Sequence, residues 1–299
     1  MVGHLPRRLV AEAIGTMLLV IFGAGSVVAA LLMGAGEITY AALGFISLSF
    51  ALVVTIVIYA FGTTSGAHIN PAVTIALAVS RRFPWSEVVP YIVAQLVGAF
   101  AGGLLIVAGF GRRAADLGTG LTALAKGVSY GQGILLEVMG TFLLMLTIMA
   151  MAVDRRAPSG WAGWIIGMAV AGEIFVIGPM TGGAVNPART FGPYLTTSLF
   201  GGDTPWSEFG VYIIGPIVGA VLAVLVYDQV ARPVREVPEE GEQGTAGEIS
   251  GTREPRGEAA ADGEAADGEA ADGESRAVRR PRDDRLQRGV RRLRPEPGR

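Results

Sequence analysis

Two stretches of the sequence decide the fold, Ser65-Gly66-Ala67-His68-Ile69-Asn70-Pro71-Ala72-Val73-Thr74 and Thr181-Gly182-Gly183-Ala184-Val185-Asn186-Pro187-Ala188-Arg189-Thr190. Both contain Asn-Pro-Ala, once at Asn70-Pro71-Ala72 and again at Asn186-Pro187-Ala188. Asn followed by Pro is typical of a helix start, because the Asn side chain accepts from free backbone N–H groups and Pro suits the first helical position. Glycines shortly before each Asn allow a sharp turn. Each stretch therefore predicts a tight loop and then a helix.

The apolar stretches at these two sites are too short to cross a membrane. Ile69–Val79 and Val185–Leu199 have about half of the ~20 residues that a helix needs to span a hydrocarbon core. A helix that enters the membrane without crossing it is tolerated only where protein or a water-filled cavity satisfies its backbone. Both stretches are therefore predicted to be re-entrant half-helices.

Six longer apolar runs can span a bilayer as helices. Each contains at most one acidic residue and no Lys or Arg. Their periodicity is weak, as expected for helices surrounded by protein and lipid. The predicted spans are Leu9–Met33, Ile38–Gly62, Val88–Phe110, Val128–Val153, Trp161–Gly178 and Phe209–Val230. The sequence thus predicts an all-α membrane protein with six transmembrane helices and two re-entrant half-helices.

The membrane part of the chain is an internal repeat. Besides the paired Asn-Pro-Ala stretches, Glu12-Ala13-Ile14-Gly15-Thr16 recurs as Glu137-Val138-Met139-Gly140-Thr141. The halves cover about residues 7–112 and 128–232, and each has three spans and one half-helix. Because three is odd, the second half is inverted relative to the first. Inverted repeats with broken helices near the midplane are typical of a membrane permeation path.

Charge divides the chain into two parts. Residues 1–235 hold 12 Lys or Arg and 10 Asp or Glu, whereas residues 236–299 hold 12 Arg and 16 acids. The second part is too polar to bury a core, which predicts a disordered tail after a membrane domain of residues 1–235. Two interpretations of the tail stay open: its acidic and basic blocks associate loosely, or its basic end rests on anionic lipid. The absence of cysteine excludes disulfides, thiolate zinc sites and cysteine nucleophiles.

The basic residues predict the orientation of the chain. One side of the spans carries four basic pairs, and the other side carries fewer basic residues, Arg112, Arg113 and Lys126. The four pairs are Arg7/Arg8, Arg81/Arg82, Arg155/Arg156 and Arg232/Arg235. By the positive-inside rule the side with the pairs faces the cytoplasm. The chain is therefore predicted to be a multi-pass protein of the plasma (inner) membrane with both termini in the cytoplasm.

The inverted halves bring the N-termini of the two half-helices together. Each N-terminus carries about half a positive charge from its helix dipole, so the pair opposes cations and protons at the centre of the pore. Asn70 and Asn186 are each predicted to direct an amide N–H into the lumen. A water oxygen that accepts from both turns its own hydrogens outwards, which breaks a proton-conducting chain of waters. A single Asn-Pro-Ala is more often an ordinary capped helix; two copies in an inverted repeat favour the pore.

Taken together, the motifs resemble the aquaporin, or major intrinsic protein, family. The resemblance covers about residues 7–232 and rests on the two Asn-Pro-Ala boxes, the paired Glu-x-x-Gly-Thr segments and the Arg that follows the second box. It implies an aquaporin-like channel domain and a homotetramer in which each protomer has its own pore. Water, small neutral solutes and the lipid bilayer are the expected partners. No enzymatic activity, catalytic residue, cofactor, metal or nucleic-acid partner is expected.

The resemblance places a constriction at Phe50, Ile174, Gly183 and Arg189. Water-selective members usually have His where this chain has Ile174, and glycerol facilitators usually have Asp where it has Thr190. The set is more similar to archaeal aquaporins and plant nodulin-26-like channels. Ile and Gly at these positions predict a wider and more apolar opening, which admits glycerol, urea, hydrogen sulfide or undissociated metalloid acids besides water. In the alternative, Ile174 and Gly183 only pack against the protein and the narrowest point lies elsewhere.

Arg189 is the only basic residue within an apolar membrane element, and an intramembrane Arg indicates a functional site. The resemblance implies that it lines the outer constriction; an interfacial Arg that reaches the membrane surface is the alternative.

Three acids of the predicted spans, Glu12, Glu137 and Glu173, are interpreted as buried. The resemblance implies that Glu12 and Glu137, which are equivalent in the repeat, accept hydrogen bonds from the re-entrant loops; a proton relay is the alternative. Glu173 has no acidic counterpart in the repeat. It is interpreted either as support for the second re-entrant loop or Arg189, or as a contact with a neighbouring subunit. The backbone carbonyl of His68 is predicted to line the inner vestibule.

The predicted function is a passive transmembrane channel for water and small uncharged solutes that excludes ions and protons. Two alternatives stay open. One is a secondary transporter coupled to protons, which Glu173 and the inverted repeat motivate. The other is a non-conducting membrane scaffold with an occluded pore.

Overall fold

The structure is a computed structural model that describes residues 5–231, so the tail predicted for residues 236–299 lies outside the described residues. All regular structure within residues 5–231 is helical. Six helical runs are long and apolar enough to cross a membrane, which confirms the predicted all-α membrane architecture. These runs are Leu5–Met33, Tyr40–Ser65, Trp85–Phe110, Tyr130–Val153, Ala162–Thr181 and Trp206–Val230.

The first span is interrupted by a π-helical segment. It consists of α1 (Leu5–Leu18), the π-helical residues Leu19–Ala24 and α2 (Gly25–Met33). A second π-helical segment, Met149–Val153, follows α7. The remaining helices are α3 (Tyr40–Ser65), α4 (Pro71–Val79), α5 (Trp85–Phe110), α6 (Arg113–Asp116), α7 (Tyr130–Ile148), α8 (Ala162–Thr181), α9 (Pro187–Leu199) and α10 (Val211–Val230).

Two spans end three residues later than the sequence predicts. The polar residues Ser65 and Thr181, which terminate α3 and α8, stay helical inside the protein because each donates its hydroxyl to a buried glutamate. The next residues, Gly66 and Gly182, have φ of +92° and +82°. This left-handed backbone favours glycine and ends both helices.

The two half-helices form as the Asn-Pro-Ala stretches predict. Helix α4 begins at Pro71 and helix α9 at Pro187, directly after an Asn in extended conformation. Oδ1 of Asn70 accepts from the backbone N–H of Ala72 at 2.9 Å. Oδ1 of Asn186 accepts from the N–H groups of Ala188 and Arg189 in the same way. Each Asn therefore caps its own helix.

Corresponding helices pack in the same way in both halves. Helix α1 lies against α5, and α7 lies against α10. A β-carbon on Gly98 of α5 would lie 2.1 Å from the carbonyl oxygen of Ala13. A β-carbon on Gly219 of α10 would lie 2.4 Å from the carbonyl oxygen of Val138. Both crossings thus need a glycine so that the backbones can approach closely.

The half-helices run from the centre of the protein to opposite ends. Beyond the end of α4, Arg82 donates to Asp228 near the end of α10. At the end of α9, the carbonyl of Phe200 accepts from Arg112, which follows α5. The last residues of the third and sixth spans therefore lie at different ends, as an inverted repeat requires.

The connection between the halves, residues 111–129, folds against α9. The hydroxyl of Thr197 donates to that of Thr119 at 2.9 Å, and the hydroxyls of Thr122 and Thr190 are 3.2 Å apart. Tyr194 donates to the carbonyl of Thr122 at 2.8 Å. These bonds hold the buried middle of the connection close to the second Asn-Pro-Ala box.

Candidate pore and its constriction

The two Asn side chains meet across the repeat. Nδ2 of Asn70 donates to the carbonyl of Val185, and Nδ2 of Asn186 donates to the carbonyl of Ile69, both at 2.8 Å. Because an amide has two N–H donors, each Asn keeps one N–H beyond this bond. Both side chains line a cavity. The predicted meeting of the half-helix N-termini is therefore present in the structure.

The residues before the two Asn have a strained backbone. Ile69 and Val185 have φ of +43° and +45°, a region that β-branched residues rarely adopt. Their carbonyls each accept from the Asn of the other half. Their N–H groups each donate to a buried glutamate at 2.7 Å. Hydrogen bonds on both sides thus hold the loop conformation.

Glu12 binds the first re-entrant loop. One carboxylate oxygen accepts from the hydroxyl of Ser65 and the N–H of His68, at 2.7 and 2.9 Å. The other accepts from the N–H of Ile69 and from Nε2 of Gln95, at 2.7 and 2.9 Å. The carboxylate is fully buried and has four donors. This is the contact that the family resemblance implies for Glu12.

Glu137 binds the second re-entrant loop in the same way. It accepts from the hydroxyl of Thr181 at 2.7 Å and from the N–H groups of Ala184 and Val185 at 3.0 and 2.7 Å. The counterpart of Gln95 in the second half, 121 residues later in α10, is Pro216, whose side chain has no donor. The second half therefore has one donor fewer.

Two tyrosines support the loops from α5 and α10. Tyr91 donates to the carbonyl of Ser65 at 2.9 Å, and Tyr212 donates to the carbonyl of Thr181 at 2.8 Å. Both are fully buried. No sequence motif indicated this role, although their spacing of 121 residues matches that of the packing glycines Gly98 and Gly219.

Two cavities lie along the pore path. The first, here called the pore cavity, has a volume of about 310 Å³ and is lined by both Asn side chains and, towards one end, by Arg82. The second, here called the vestibule, has a volume of about 530 Å³ and is lined by Thr39, Tyr40 and the connection between the halves. Among residues 5–231, only Ile174 and Arg189 line both cavities. The two cavities therefore adjoin at Ile174 and Arg189.

The structure brings the four predicted constriction residues together. The guanidinium carbon of Arg189 lies 5.0 Å from the ring centroid of Phe50. A β-carbon on Gly183 would lie 3.2 Å from Cγ1 of Ile174. All four residues line the pore cavity. Their roles in selection are taken up below as proposals.

Arg189 is held by the connection between the halves. Nη1 donates to the carbonyl of Gly120 at 2.9 Å, and the residue is 2% exposed. Within the described residues, Nε has no acceptor. The guanidinium is thus fixed at one corner by the protein and faces both cavities, so Arg189 does not reach out to the membrane surface.

The repeat counterparts of the constriction residues also line the pore cavity. An offset of 116 residues relates Phe50 to Ile166, Ile58 to Ile174, Ala67 to Gly183 and Val73 to Arg189, and all eight line it. The counterparts are all apolar. Of these eight residues, only Arg189 is charged, and its counterpart Val73 is apolar.

His68 lines the pore cavity on the side of the first half-helix. Its Nδ1 lies 3.2 Å from the hydroxyl of Thr74. The ring packs against Phe83 and Tyr91, with centroid distances of 4.8 and 5.3 Å. The ring thus lies in an aromatic cluster, which the sequence did not indicate.

Glu173 lies inside the protomer, between α8 and α7. It is 2% exposed, and its Cβ would lie 3.6 Å from a β-carbon on Gly140. Within residues 5–231 neither carboxylate oxygen has a hydrogen-bond donor, and Glu173 lines neither cavity. The interpretation as a contact with a neighbouring subunit is wrong for this position, because the protomer itself buries the side chain.

Ion pairs join the chain segments at the end of the pore cavity near Arg82. Arg82 binds Asp228 through two hydrogen bonds of 2.9 and 2.6 Å, which raise the pKa of Arg82. Asp154 accepts from Arg156 and from the hydroxyl of Tyr227. The hydrogen bonds from Arg156 hold the pKa of Asp154 well below its usual range. The acid partners of these arginines were not predicted from the sequence.

Six spans in two inverted halves, with half-helices that meet at a cavity lined from both sides, define a membrane channel. Residues 3–227 match the sequence model of the family described as Major intrinsic protein. The chain belongs to the major intrinsic protein family.

Relatives with known names agree with this assignment. The chain is 52% identical over 242 residues to "Probable aquaporin AqpM" of Archaeoglobus fulgidus, which covers 76% of this chain and 98% of the relative. It is 39% identical over 237 residues to "Probable aquaporin NIP4-2" of Arabidopsis thaliana, over 78% of each chain. The predicted similarity to archaeal and plant nodulin-26-like channels is thus confirmed.

A solved structure has the same fold. The aquaglyceroporin from Plasmodium falciparum aligns with a TM-score of 0.69 at 24% identity, over 77% of this chain and 98% of that chain.

Proposed function

We propose that this protein is a passive channel for water and small uncharged solutes that excludes ions and protons. The observation that carries the proposal is the position of Ile174 and Arg189, the two residues that line both cavities. A solute that passes from one cavity to the other contacts an apolar side chain and a fixed cation. Polar uncharged molecules meet a donor there, and cations meet repulsion.

The electrostatics of the pore cavity support the exclusion of cations. Arg82 and Arg189 line it, and no acidic side chain among residues 5–231 does so. The N-termini of α4 and α9 add the positive ends of two helix dipoles at Asn70 and Asn186. In our proposal the free N–H of each Asn orients the passing water and interrupts proton transfer.

The four constriction residues set the solute range in this proposal. Phe50, Ile174 and Gly183 contribute two apolar side chains and one position without a side chain, and Arg189 contributes donors. An opening of this kind passes glycerol or urea, and also hydrogen sulfide or undissociated metalloid acids, more readily than one with His in place of Ile174. The Arabidopsis and Archaeoglobus relatives support the aquaporin assignment by name.

Glu12 and Glu137 act as scaffold in this proposal. Their oxygens accept from the re-entrant loops at 2.7–3.0 Å, and neither residue lines the pore cavity or the vestibule. A proton relay needs a carboxyl that reaches the path. Glu173 lines neither of these two cavities, which favours a channel over a proton-coupled transporter.

We also propose a homotetramer in the plasma membrane with both termini in the cytoplasm. Large apolar side chains are exposed on several spans, among them Phe45, Ile56, Val97, Leu135 and Val176. Such side chains suit lipid or a neighbouring subunit. Residues 236–299 are dispensable for transport in this proposal, so truncation after Val234 should leave permeability unchanged.

Stopped-flow light scattering on proteoliposomes tests the proposed function. Liposomes with the protein should shrink under an osmotic gradient faster than empty ones, and glycerol influx should follow the glycerol gradient alone. An imposed proton gradient should leave glycerol influx unchanged. A response to the proton gradient would indicate a transporter, and shrinkage equal to that of empty liposomes would indicate a non-conducting scaffold.

A further inference from the structure

The π-helical segment of the first span lies directly behind the constriction. Residues Leu19–Ala24 form it, and the N–H of Gly25 binds the carbonyl of Val20, five residues earlier. In the second half the corresponding residues are 144–149; residues 144–148 are α-helical, and Met149 begins the second π-helical segment. The π-helical conformation at Gly23 therefore has no counterpart at the related residue, Ile148. π-Helical turns of this kind are frequent at functional sites.

Gly23 of this segment contacts the ring of Phe50. A β-carbon on Gly23 would lie 2.3, 2.6 and 2.8 Å from three ring carbons, Cε1, Cδ1 and Cζ. These distances are too short for any side chain, so the ring rests on the bare backbone of residue 23. The corresponding residue in the second half is Ile148, and the counterpart of Phe50 there is the smaller Ile166.

The next residue, Ala24, supports Arg189 through Gly120. A β-carbon on Gly120 would lie 2.1 Å from the carbonyl oxygen of Ala24, and Gly120 has φ of +74°. The carbonyl of Gly120 accepts from Nη1 of Arg189 at 2.9 Å. Two consecutive residues of the π-helical segment thus support the aromatic and the cationic side of the constriction.

Two serine hydroxyls donate hydrogen bonds to backbone carbonyls of the π-helical segment. Ser49, which precedes Phe50 on α3, donates to the carbonyl of Phe22 at 2.7 Å. Ser26 donates to the carbonyl of Gly23 at 2.6 Å. Because a π-helical turn disturbs the regular backbone ladder, these bonds stabilise the segment against a return to regular α-helix.

We propose that the π-helical segment Leu19–Ala24 sets the aperture of the constriction, with Gly23 as the positioning residue for Phe50 and Gly120 as the positioning residue for Arg189. The inference rests on the proposed function, because it assigns the constriction the role of a filter. The hydrogen bonds from Ser49 and Ser26 hold the backbone around Gly23 in place. A methyl group added at residue 23 therefore pushes the ring of Phe50 towards Arg189 and the lumen. A narrower opening slows glycerol more than water.

Substitution of Gly23 tests the proposal. In proteoliposomes, Gly23→Ala should lower the ratio of glycerol to water permeability by roughly tenfold, the change that about 1.4 kcal/mol of additional barrier produces. Because both permeabilities come from the same vesicles, the ratio does not depend on the amount of folded protein. Gly109→Ala is the matched control, since a β-carbon on this helical glycine meets no atom within 4 Å. It should leave the ratio unchanged.

A second substitution, Phe50→Leu, distinguishes an effect on the ring of Phe50 from a general disturbance of the fold. In Phe50→Leu the side chain no longer reaches Gly23, so Gly23→Ala/Phe50→Leu should have the same ratio as Phe50→Leu alone. If Gly23→Ala does not fold, the double variant should be recovered with that ratio. The proposal is overturned if folded Gly23→Ala keeps the wild-type ratio, or if the double variant fails to fold or differs from Phe50→Leu. Failure of the proposed function is distinct, because wild-type liposomes would then shrink no faster than empty ones.

Discussion

The guanidinium carbon of Arg189, a residue that lines both the pore cavity and the vestibule, lies 5.0 Å from the ring centroid of Phe50. The contact joins an α3 side chain from the first half to the first turn of α9 in the second. A cation over an aromatic face is attracted to the ring, and the Gly120 carbonyl holds the same guanidinium from another side. The guanidinium is therefore held by the first half, through Phe50, and by the connection between the halves, through Gly120.

Removal of this charge should open the channel to cations. In Arg189→Val, which copies the counterpart Val73, water permeability should persist and proton leakage should rise at least tenfold. One unit charge at about 4 Å and an effective dielectric constant of about 20 contributes roughly 4 kcal/mol, so even partial screening leaves a large effect. Proton flux into liposomes with a trapped pH-sensitive dye measures this. Arg113→Val, an exposed arginine on α6, is the control; equal leakage in both variants would contradict the assignment.

Neutralisation of Glu137 should loosen the second re-entrant loop. In Glu137→Gln an amide N–H₂ faces N–H donors of Ala184 or Val185, which leaves a buried donor unpaired at a cost of about 1–3 kcal/mol. We expect a lower thermal unfolding temperature in detergent and lower water permeability. Glu173→Gln is the matched control, since it makes the same change at a buried position whose oxygens have no donor within residues 5–231. Equal losses in the two variants would refute the scaffold role.

Replacement of Glu173 by an apolar residue should stabilise the protein. Val57 is the repeat counterpart of Glu173 and is fully buried at the equivalent position beside Gly15. Glu173→Val removes a buried carboxyl without a donor, which should add about 1–3 kcal/mol to the free energy of unfolding. Thermal unfolding in detergent checks the stability, and stopped-flow shrinkage should be unchanged. Loss of permeability with intact stability would instead give Glu173 a part in transport.

Acid should weaken the contact between Asp154 and Arg156. The folded state holds the pKa of Asp154 below its unfolded value of about 3.9, so the carboxylate stabilises the protein above that pH and loses this contribution as the pH falls towards the folded pKa. Asp154→Asn should therefore unfold at a lower temperature than wild type at pH 7, with a difference that shrinks below about pH 4. Thermal unfolding across pH 3–7 tests this, and a difference that grows in acid would contradict it.

Some of the fold and site could be predicted because local chemistry determines them. Asn followed by Pro is typical of a helix start, and two copies in an inverted repeat bring Asn70 and Asn186 together. The apolar runs give the spans for the same reason. The positions of Phe50 and Ile174 came from the family resemblance, since no local property of either residue marks a pore wall.

The remaining features depend on contacts between distant parts of the chain. Gly23 is one glycine among 43, and only the approach of Phe50 shows why it matters. In the sequence, nothing distinguishes Tyr91 and Tyr212 from other residues of apolar helices. In the structure their hydroxyls donate hydrogen bonds to carbonyls of the re-entrant loops. Asp228 lies in the last predicted span, and its partner Arg82 lies 146 residues earlier in the sequence.

The claim that uncharged solutes are selected at Ile174 and Arg189 is tested most directly by the ratio of glycerol to water permeability in Ile174→His. A polar, bulkier wall opposite Arg189 should lower the ratio by roughly tenfold, about 1.4 kcal/mol of barrier, with water permeability retained. Ile58→His is the matched control, because Ile58 is the repeat counterpart and lines the pore cavity but not the vestibule. A fall in the ratio for Ile174→His alone is the predicted result. A ratio equal to that of wild type, in protein that conducts water, would contradict the account.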